Sequence, residues 1–193
     1  MKADKKGLKE KINICAQELF EKHGYKQVSI DQIVAAAGTS KGGFYHYYNS
    51  KDDLLIEIWE GLDDTFDEWY QSMKGQHTSI ELLSLFNRTV LRSIECDMDY
   101  NQIFMLYSTQ LNFSDKTKLF RPDRKYNMII ADIIRNGQKS GEICAEPSLR
   151  ELTKMYVTVQ RGIIYDWCLA GGIYNLEAYG TKIIDLYIQS YKA

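Results

Sequence analysis

Apolar residues recur every three or four positions along most of the chain, and the elements this spacing predicts are helices. The sharpest pattern lies between Ser29 and Lys51, where Ile30, Ile33, Val34 and Ala37 share one helical face. Ser29 followed three residues later by Gln32 is a capping box, so a helix starts there. The small residues Ala35, Ala36 and Ala37 let a second helix cross closely, and Gly38 suits the left-handed residue that ends a helix. Ser40 can cap a following helix with a body from Lys41 to Tyr47. Two short helices joined by a tight turn containing Gly form a helix-turn-helix, whose second helix enters the DNA major groove.

That second helix is poorly built for packing alone. Gly42 and Gly43 each cost roughly 1 kcal/mol relative to Ala in a helix. Glycines admit a second backbone, and Lys41, Tyr45, His46 and Tyr47 offer donors to phosphates, while Phe44 is expected to face the core.

The flanking segments continue the pattern. Leu8, Ile12, Cys15, Ala16 and Leu19 make the stripe of a first helix over 7–23, stopped by Gly24. Lys2, Lys5, Lys6 and Lys9 lie at its start, within reach of a DNA backbone. Ser50 is expected to cap a fourth helix, with Asp52 and Asp53 in its first turn. Leu55, Ile58, Leu62, Phe66, Trp69 and Met73 carry that helix to about Lys74, long enough to join a head to a separate body. Thr78 and Glu81 form another capping box for a helix to about Cys96. A sixth helix is expected from Tyr100 to Leu111, then a polar loop from Asn112 to Arg121. Pro122 suits the first position of a seventh helix, lined by Tyr126, Ile129, Ile130, Ile133 and Ile134 and ended by Gly141. Pro147 to Glu151 opens an eighth helix that reaches Leu169 before Gly171 and Gly172. A ninth is expected from Asn175 to Tyr191 with Leu176, Tyr179, Ile183, Leu186 and Tyr187 inside. The expected fold is therefore all-α, with about nine helices. Residues 1–52 are expected to form a three-helix helix-turn-helix head, and residues 53–193 a separate helical body.

Charge sharpens this division. Residues 1–51 hold nine Lys against five acids, +4, so the remainder of a chain with net charge −2 carries −6. A basic end on an acidic protein suits DNA binding at that end. The four cysteines (Cys15, Cys96, Cys144, Cys168) form no CxxC pair and read as reduced, structural thiols of a cytoplasmic protein, with redox sensing the lesser alternative. No apolar stretch suits a signal peptide or a membrane span. His23, His46 and His77 are isolated, no metal-ligand spacing occurs, and nucleophile-elbow, P-loop and dinucleotide fingerprints are absent. No catalytic residue, metal or cofactor is expected.

The first 55 residues or so resemble the TetR family of transcriptional repressors. The resemblance rests on Leu19-Phe20, Gly24-Tyr25, Ser29, the run from Ala37 through Gly38, Thr39, Ser40, Lys41, Gly42, Gly43, Phe44, Tyr45, His46 and Tyr47 to Tyr48, and Ser50-Lys51 with Leu54. The departures are Thr39 for the usual Val, Phe44 for Leu and Tyr48 for Phe. The resemblance implies that Ser29, Ser40, Lys41, Gly42, Gly43, Tyr45, His46, Tyr47 and Lys51 form the operator surface. Ser29, Lys41, Tyr45, Tyr47 and Lys51 would meet phosphates, and Lys41, Gly42, Gly43 and His46 would approach base edges.

It also implies an effector cavity in the body and a dimer built from the last two helices. Large, adaptable side chains there are Phe86, Phe104, Met105, Tyr107, Tyr126, Tyr156, Gln160 and Trp167; each could be ordinary core, and together they could line an apolar pocket with a few polar tips. Tyr156 and Gln160, four apart, could both address one molecule. No cluster of Arg or Lys stands out to hold a multiply charged ligand. Ile163, Trp167, Ile183 and Tyr187 are candidates for the dimer surface. The implied function is a ligand-responsive repressor that binds a palindromic operator as a homodimer and is released by a small hydrophobic or aromatic inducer. An activator of the same architecture, or a helical interaction module whose helix-turn-helix only packs, remains an alternative.

Overall fold

A computed structural model describes residues 3–110 and 123–193, with the side chains of 3–6 and 58–60 outside the description. Nine α-helices lie among the described residues. The first three, α1 (Ala3–His23), α2 (Ile30–Ala37) and α3 (Lys41–Tyr45), make the head. α4 (Asp52–Met73) runs from the head into a body of α5 (Ser79–Arg92), α6 (Tyr100–Thr109), α7 (Lys125–Ser140), α8 (Leu149–Leu169) and α9 (Leu176–Ile188).

Two hydrophobic cores follow from the stripes. In the head, Ile12, Ala16 and Phe20 of α1 pack with Ile33, Val34, Ala37, Phe44 and Tyr48, and with Leu54, Leu55 and Ile56 at the start of α4. Leu106 of α6 joins this core from the body. In the body, Phe66 and Tyr70 of α4 meet Leu83, Phe86, Leu91, Ile130, Ile134, Tyr156, Ile164 and Ile184. Each such side chain contributes about 1.5–3 kcal/mol when fully buried, so the two cores, joined along α4 and α6, dominate the stability.

The expected caps explain most helix starts. Ser29 with Gln32, Thr78 with Glu81 and Ser148 with Glu151 are complete capping boxes. α4 differs from expectation, because Ser50 does not cap it. The Asp53 carboxylate reaches back instead, accepting the Asn49 N–H at 2.8 Å and the Ser50 hydroxyl at 3.2 Å. Two helix starts are capped from distant segments, which local sequence could not reveal. Glu142 accepts the N–H groups of Ser79 and Ile80 at 2.7 and 2.8 Å, at the start of α5. Glu95 accepts those of Leu176 and Glu177 at 2.9 and 3.0 Å, at the start of α9. A carboxylate facing a helix N-terminus satisfies orphan donors and opposes the helix dipole.

Several boundaries move. α1 starts at Ala3 rather than at residue 7. α3 ends at Tyr45 rather than Tyr47. α5 ends at Arg92 and widens into a π-turn over Ser93–Asp97. The expected loop from Asn112 to Arg121 and the Pro122 start of α7 lie outside the described residues. The stripe of α9 is offset from expectation: Leu176, Gly180, Thr181, Ile184 and Ile188 are buried, whereas Tyr179 and Leu186 are exposed. Small residues cause the offset. A Cβ on Gly180 would stand 2.3 Å from a Leu91 methyl and 2.8 Å from an Ile163 methyl, so α9 packs its glycine, not its large side chains, against α5 and α8.

Candidate nucleic-acid interface and effector cavity

In the head, Gly38 adopts the left-handed conformation (φ 65°, ψ 39°) that turns the chain from α2 to α3. The Gly43 N–H donates to the Ser40 hydroxyl at 3.1 Å, fixing the first turn of α3. The two glycines of α3 then separate in meaning. A Cβ on Gly43 would come 2.3 Å from Thr39 Oγ1, so any side chain there makes Thr39 turn away. A Cβ on Gly42 would meet nothing closer than Ser40 Oγ at 3.7 Å. Packing within the head gives no reason for Gly42, which leaves an open, side-chain-free surface on an exposed helix.

Around it, Ser29, Ser40, Lys41, Tyr45 and His46 are exposed, and Tyr47 and Lys51 are half-buried. Lys41 reaches Asp31 at 2.9 Å in an exposed pair, and the hydrogen bond and charge of Asp31 raise its pKa. The Ser29 hydroxyl is engaged in its capping box, accepting the Gln32 N–H at 3.2 Å. Phe44 points inward and is fully buried, with the Tyr45 ring edge-on at 5.4 Å.

Lys51 is held differently from a simple phosphate contact. Its ammonium donates to the carbonyls of Tyr25 and Val28 at 2.6 and 2.8 Å and lies 4.1 Å from the centre of the Tyr25 ring. Partial burial lowers its pKa, with Asp52 opposing. Two of its three donors are thus spent on the α1–α2 connection. Tyr25 hydroxyl donates to Asp52, and Tyr48 hydroxyl donates to Glu57 at 2.5 Å, while Lys9 meets Glu57 at 2.8 Å. Lys51, Asp52 and Glu57 tie the head to the first turns of α4.

In the body, a cavity of about 60 Å³ opens between α5, α6, α7 and α8. Val90, Tyr107, Val157 and Ile164 give it apolar walls. Gln110, Tyr126 and Gln160 add polar tips, and Arg124 and Arg161 add charge. The Tyr126 hydroxyl donates to Gln160 Oε1, and Gln160 Nε2 donates to Asn87 Oδ1 at 2.8 Å. Burial raises the pKa of Tyr107 and Tyr126 well above the ordinary phenol value, so both are neutral donors. Arg124 forks onto Asp63 of α4, with Nη2 to Oδ1 at 2.7 Å and Nε to Oδ2 at 3.3 Å, both side chains largely buried.

The structure sorts the expected pocket residues. Tyr107, Tyr126 and Gln160 line the cavity. Phe86 lies behind it, its ring 5.7 Å from that of Tyr126. Three others point elsewhere. Tyr156 is fully buried and its hydroxyl donates to the Leu83 carbonyl at 2.7 Å, so it does not share a ligand with Gln160. Trp167 Nε1 donates to the Tyr174 carbonyl at 2.9 Å, inside the chain's own core. Phe104 is 45% exposed and stacks on Tyr100 at 6.0 Å, on the outer side of α6. The expectation of no basic cluster is corrected as well, since Arg124 and Arg161 converge from α7 and α8. Their separation in sequence concealed this; only the antiparallel packing of two helices joins them.

The surface expected to pair with a second copy is also rearranged. Ile163 and Trp167 are 5% and 4% exposed, committed to the body core, while Ile183 and Tyr187 are half-buried. The apolar side chains left outside on α8 and α9 are Met155, Tyr165, Leu169, Tyr179 and Leu186. No helix among the described residues is long and apolar enough to cross a membrane.

Comparisons with known proteins bear on both ends of the chain. Residues 15–58 match the family described as bacterial regulatory proteins, tetR family, and residues 58–190 match the YsiA-like protein C-terminal region. The fatty acid metabolism regulator protein of Bacillus subtilis (strain 168) is 24% identical over 174 residues, covering 90% of each chain. The crystal structure of the regulator FadR from Bacillus subtilis in complex with stearoyl-CoA superposes with a TM-score of 0.74 at 23% identity, covering 94% of this chain and 98% of that one. Thermus thermophilus FadR, a TetR-family repressor in complex with lauroyl-CoA, gives a TM-score of 0.76 at 19% identity over 95% of both chains. With the N-terminal and C-terminal regions both matched, the chain belongs to the TetR family of transcriptional regulators.

Proposed function

We propose that this protein is a repressor that binds a palindromic operator as a homodimer and is released by a long-chain acyl-CoA. The observation that carries the effector class is the meeting of Arg124 and Arg161 with Tyr107, Val157 and Ile164 in one cavity. An apolar wall bordered by Arg161 and by the Asp63-paired Arg124 suits an amphipathic anion better than the neutral hydrophobic or aromatic inducer expected from sequence. The acyl-CoA ligands of the two FadR structures support the same class. Even drug-sized ligands take sites of about 300–1,000 Å³, so the 60 Å³ cavity has to widen for binding. A widened cavity displaces α6, which also contributes Leu106 to the head core. The ligand then favours a head arrangement with lower affinity for the operator, to the extent that it binds the two states differently.

At the other end, the side-chain-free surface at Gly42 and the exposed Lys41, Tyr45 and His46 support DNA contact by α3. Two heads joined by the outward faces of α8 and α9 would engage two half-sites. The test is a mobility-shift titration with operator fragments from the neighbouring genome, with dodecanoyl-CoA, free CoA and a neutral aromatic compound as separate additions. Release by dodecanoyl-CoA alone supports the proposal. Release by the neutral compound alone returns the effector to the hydrophobic class. Tighter binding with the thioester and increased transcription would assign an activator instead.

A further inference from the structure

The wall of the cavity contains a buried polar chain that apolar packing does not explain. Tyr126 donates to Gln160, Gln160 donates to Asn87, and there the chain stops. Asn87 is fully buried, and its Nδ2 has no hydrogen-bond partner. Gln160 is 1% exposed. A buried donor left unsatisfied is costly. A partner from outside the chain would satisfy it.

We propose that Asn87, with Gln160 and Tyr126, forms a subsite that reads one acceptor oxygen of the effector, the carbonyl of its thioester. The proposal rests on the acyl-CoA reading above and adds which atom is recognised and by what. The buried end of the chain carries a spare donor, Asn87 Nδ2, beside an Oδ1 that accepts from Gln160. An acceptor oxygen would satisfy that donor. Gln160 and Tyr126 line the cavity, and Asn87 stands one hydrogen bond behind Gln160, so a ligand that widens the cavity at Gln160 reaches Asn87. The Arg161 guanidinium and the Asp63-paired Arg124 border the same space, and guanidinium groups suit the phosphates of the CoA moiety. A thioester has its carbonyl at the junction between those phosphates and the acyl tail. That junction matches a site where guanidinium groups, amides and aliphatic walls adjoin.

The experiment compares dodecanoyl-CoA with S-dodecyl-CoA, a thioether that lacks only the carbonyl oxygen, by calorimetric titration of the full-length protein. Sites built to hydrogen-bond a polar group discriminate strongly against analogues that lack it. Dodecanoyl-CoA is expected to bind at least about tenfold tighter. Asn87→Leu should bring the two affinities to within about twofold, and Asn87→Asp, nearly the same size without the donor, should do the same. The ratio in the unmodified protein decides the matter even where a variant does not fold. Equal affinities for the two ligands overturn the subsite and leave the acyl-CoA reading standing. Failure of both ligands to bind overturns that reading and the subsite with it.

Discussion

Leu106 and Tyr107 are neighbours on α6, yet they are buried in different cores. Leu106 packs in the head with residues of α1, α2 and the start of α4. Tyr107 packs in the body and lines the cavity. One turn earlier, Gln102 donates to Gln17 and Glu21 of α1, both at 3.3 Å. A shift of α6 driven from the cavity is therefore felt directly by the head, without a longer route through the body. Leu106→Ala should weaken this link. It costs about 2–5 kcal/mol of stability, as buried Leu truncations do. The ratio of operator affinities without and with dodecanoyl-CoA should fall at least about fivefold relative to the unmodified protein. An unchanged ratio in a mobility-shift titration would remove α6 as the connection.

How much of this was legible in the sequence depended on the range of the interaction. The head was almost fully legible, because its signals are local: the Ser29 and Gln32 box, Gly38 at the turn, and the inward Phe44. Helix order in the body was legible for the same reason. The cavity was not, because its composition depends on which faces of α5 to α8 meet. Tyr156 and Gln160 sit on one helical face, yet the first donates to Leu83 and only the second reaches the cavity. Asn87 gave no signal at all, since a lone Asn in a helix usually faces solvent. Arg124 and Arg161 carry charge that periodicity ignores.

The contrast between Gly42 and Gly43 predicts opposite outcomes for the same substitution. Gly42→Ala gains helix propensity, up to roughly 1 kcal/mol, with no clash to offset it. The melting temperature should hold or rise, while operator affinity falls at least about tenfold because a methyl group now stands between α3 and the DNA. Gly43→Ala forces Thr39 to rotate away from 2.3 Å, so its propensity gain is offset and no stabilisation is expected. Thermal unfolding and a mobility shift on the two variants separate stability from binding. Undiminished operator affinity in Gly42→Ala would end the argument from its open surface.

Arg124 and Asp63 connect the cavity to α4 through a largely buried pair. Removing one partner of such a pair costs about 3–5 kcal/mol, because the other charge is left without compensation. Asp63→Asn should therefore lower the melting temperature. An anionic ligand supplies the Arg124 guanidinium with negative charge in place of Asp63, so the stabilisation by dodecanoyl-CoA should be larger in Asp63→Asn than in the unmodified protein. Equal thermal shifts would mean that Arg124 does not sense the ligand's charge.

Asp132 on α7 gives a pH dependence. Partial burial would raise its carboxyl pKa, but hydrogen bonds from Lys74 and Tyr70, with the charges of Lys74 and Arg135, outweigh it and hold the pKa below the ordinary value. A carboxyl depressed in the folded state contributes stability above its unfolded pKa of about 3.9 and loses it as pH falls through the folded value. Asp132→Asn should thus be less stable than the unmodified protein at neutral pH, by less than about 1 kcal/mol for so exposed a group. The difference should shrink as pH drops below about 4. Urea unfolding at neutral and acidic pH measures it, and a difference constant across that range would assign the effect to packing rather than charge.

The outward faces of α8 and α9 predict how the chain assembles. Leu186 is 78% exposed and Leu169 is 66% exposed, with Met155, Tyr165 and Tyr179 also outside. Gly162 lies on the exposed side of α8, with open space where its Cβ would stand, so a second backbone can approach there. Exposed apolar side chains on two packed helices mark a candidate interaction site, and a two-fold dimer through them would present two heads to two half-sites. Leu186→Glu should then give a monomer of unchanged helix content by light scattering at micromolar concentration. Its operator affinity should fall by about 100-fold or more, because the second head no longer benefits from the first. Ile163→Glu makes a separate control. Ile163 is 5% exposed and packs against Gly180, so a charge there should unfold the body rather than divide a dimer. A dimeric Leu186→Glu protein would move the interface off this face. A folded, monomeric Ile163→Glu protein would show that the α8 surface facing Gly180 is less committed to the body core than its burial indicates.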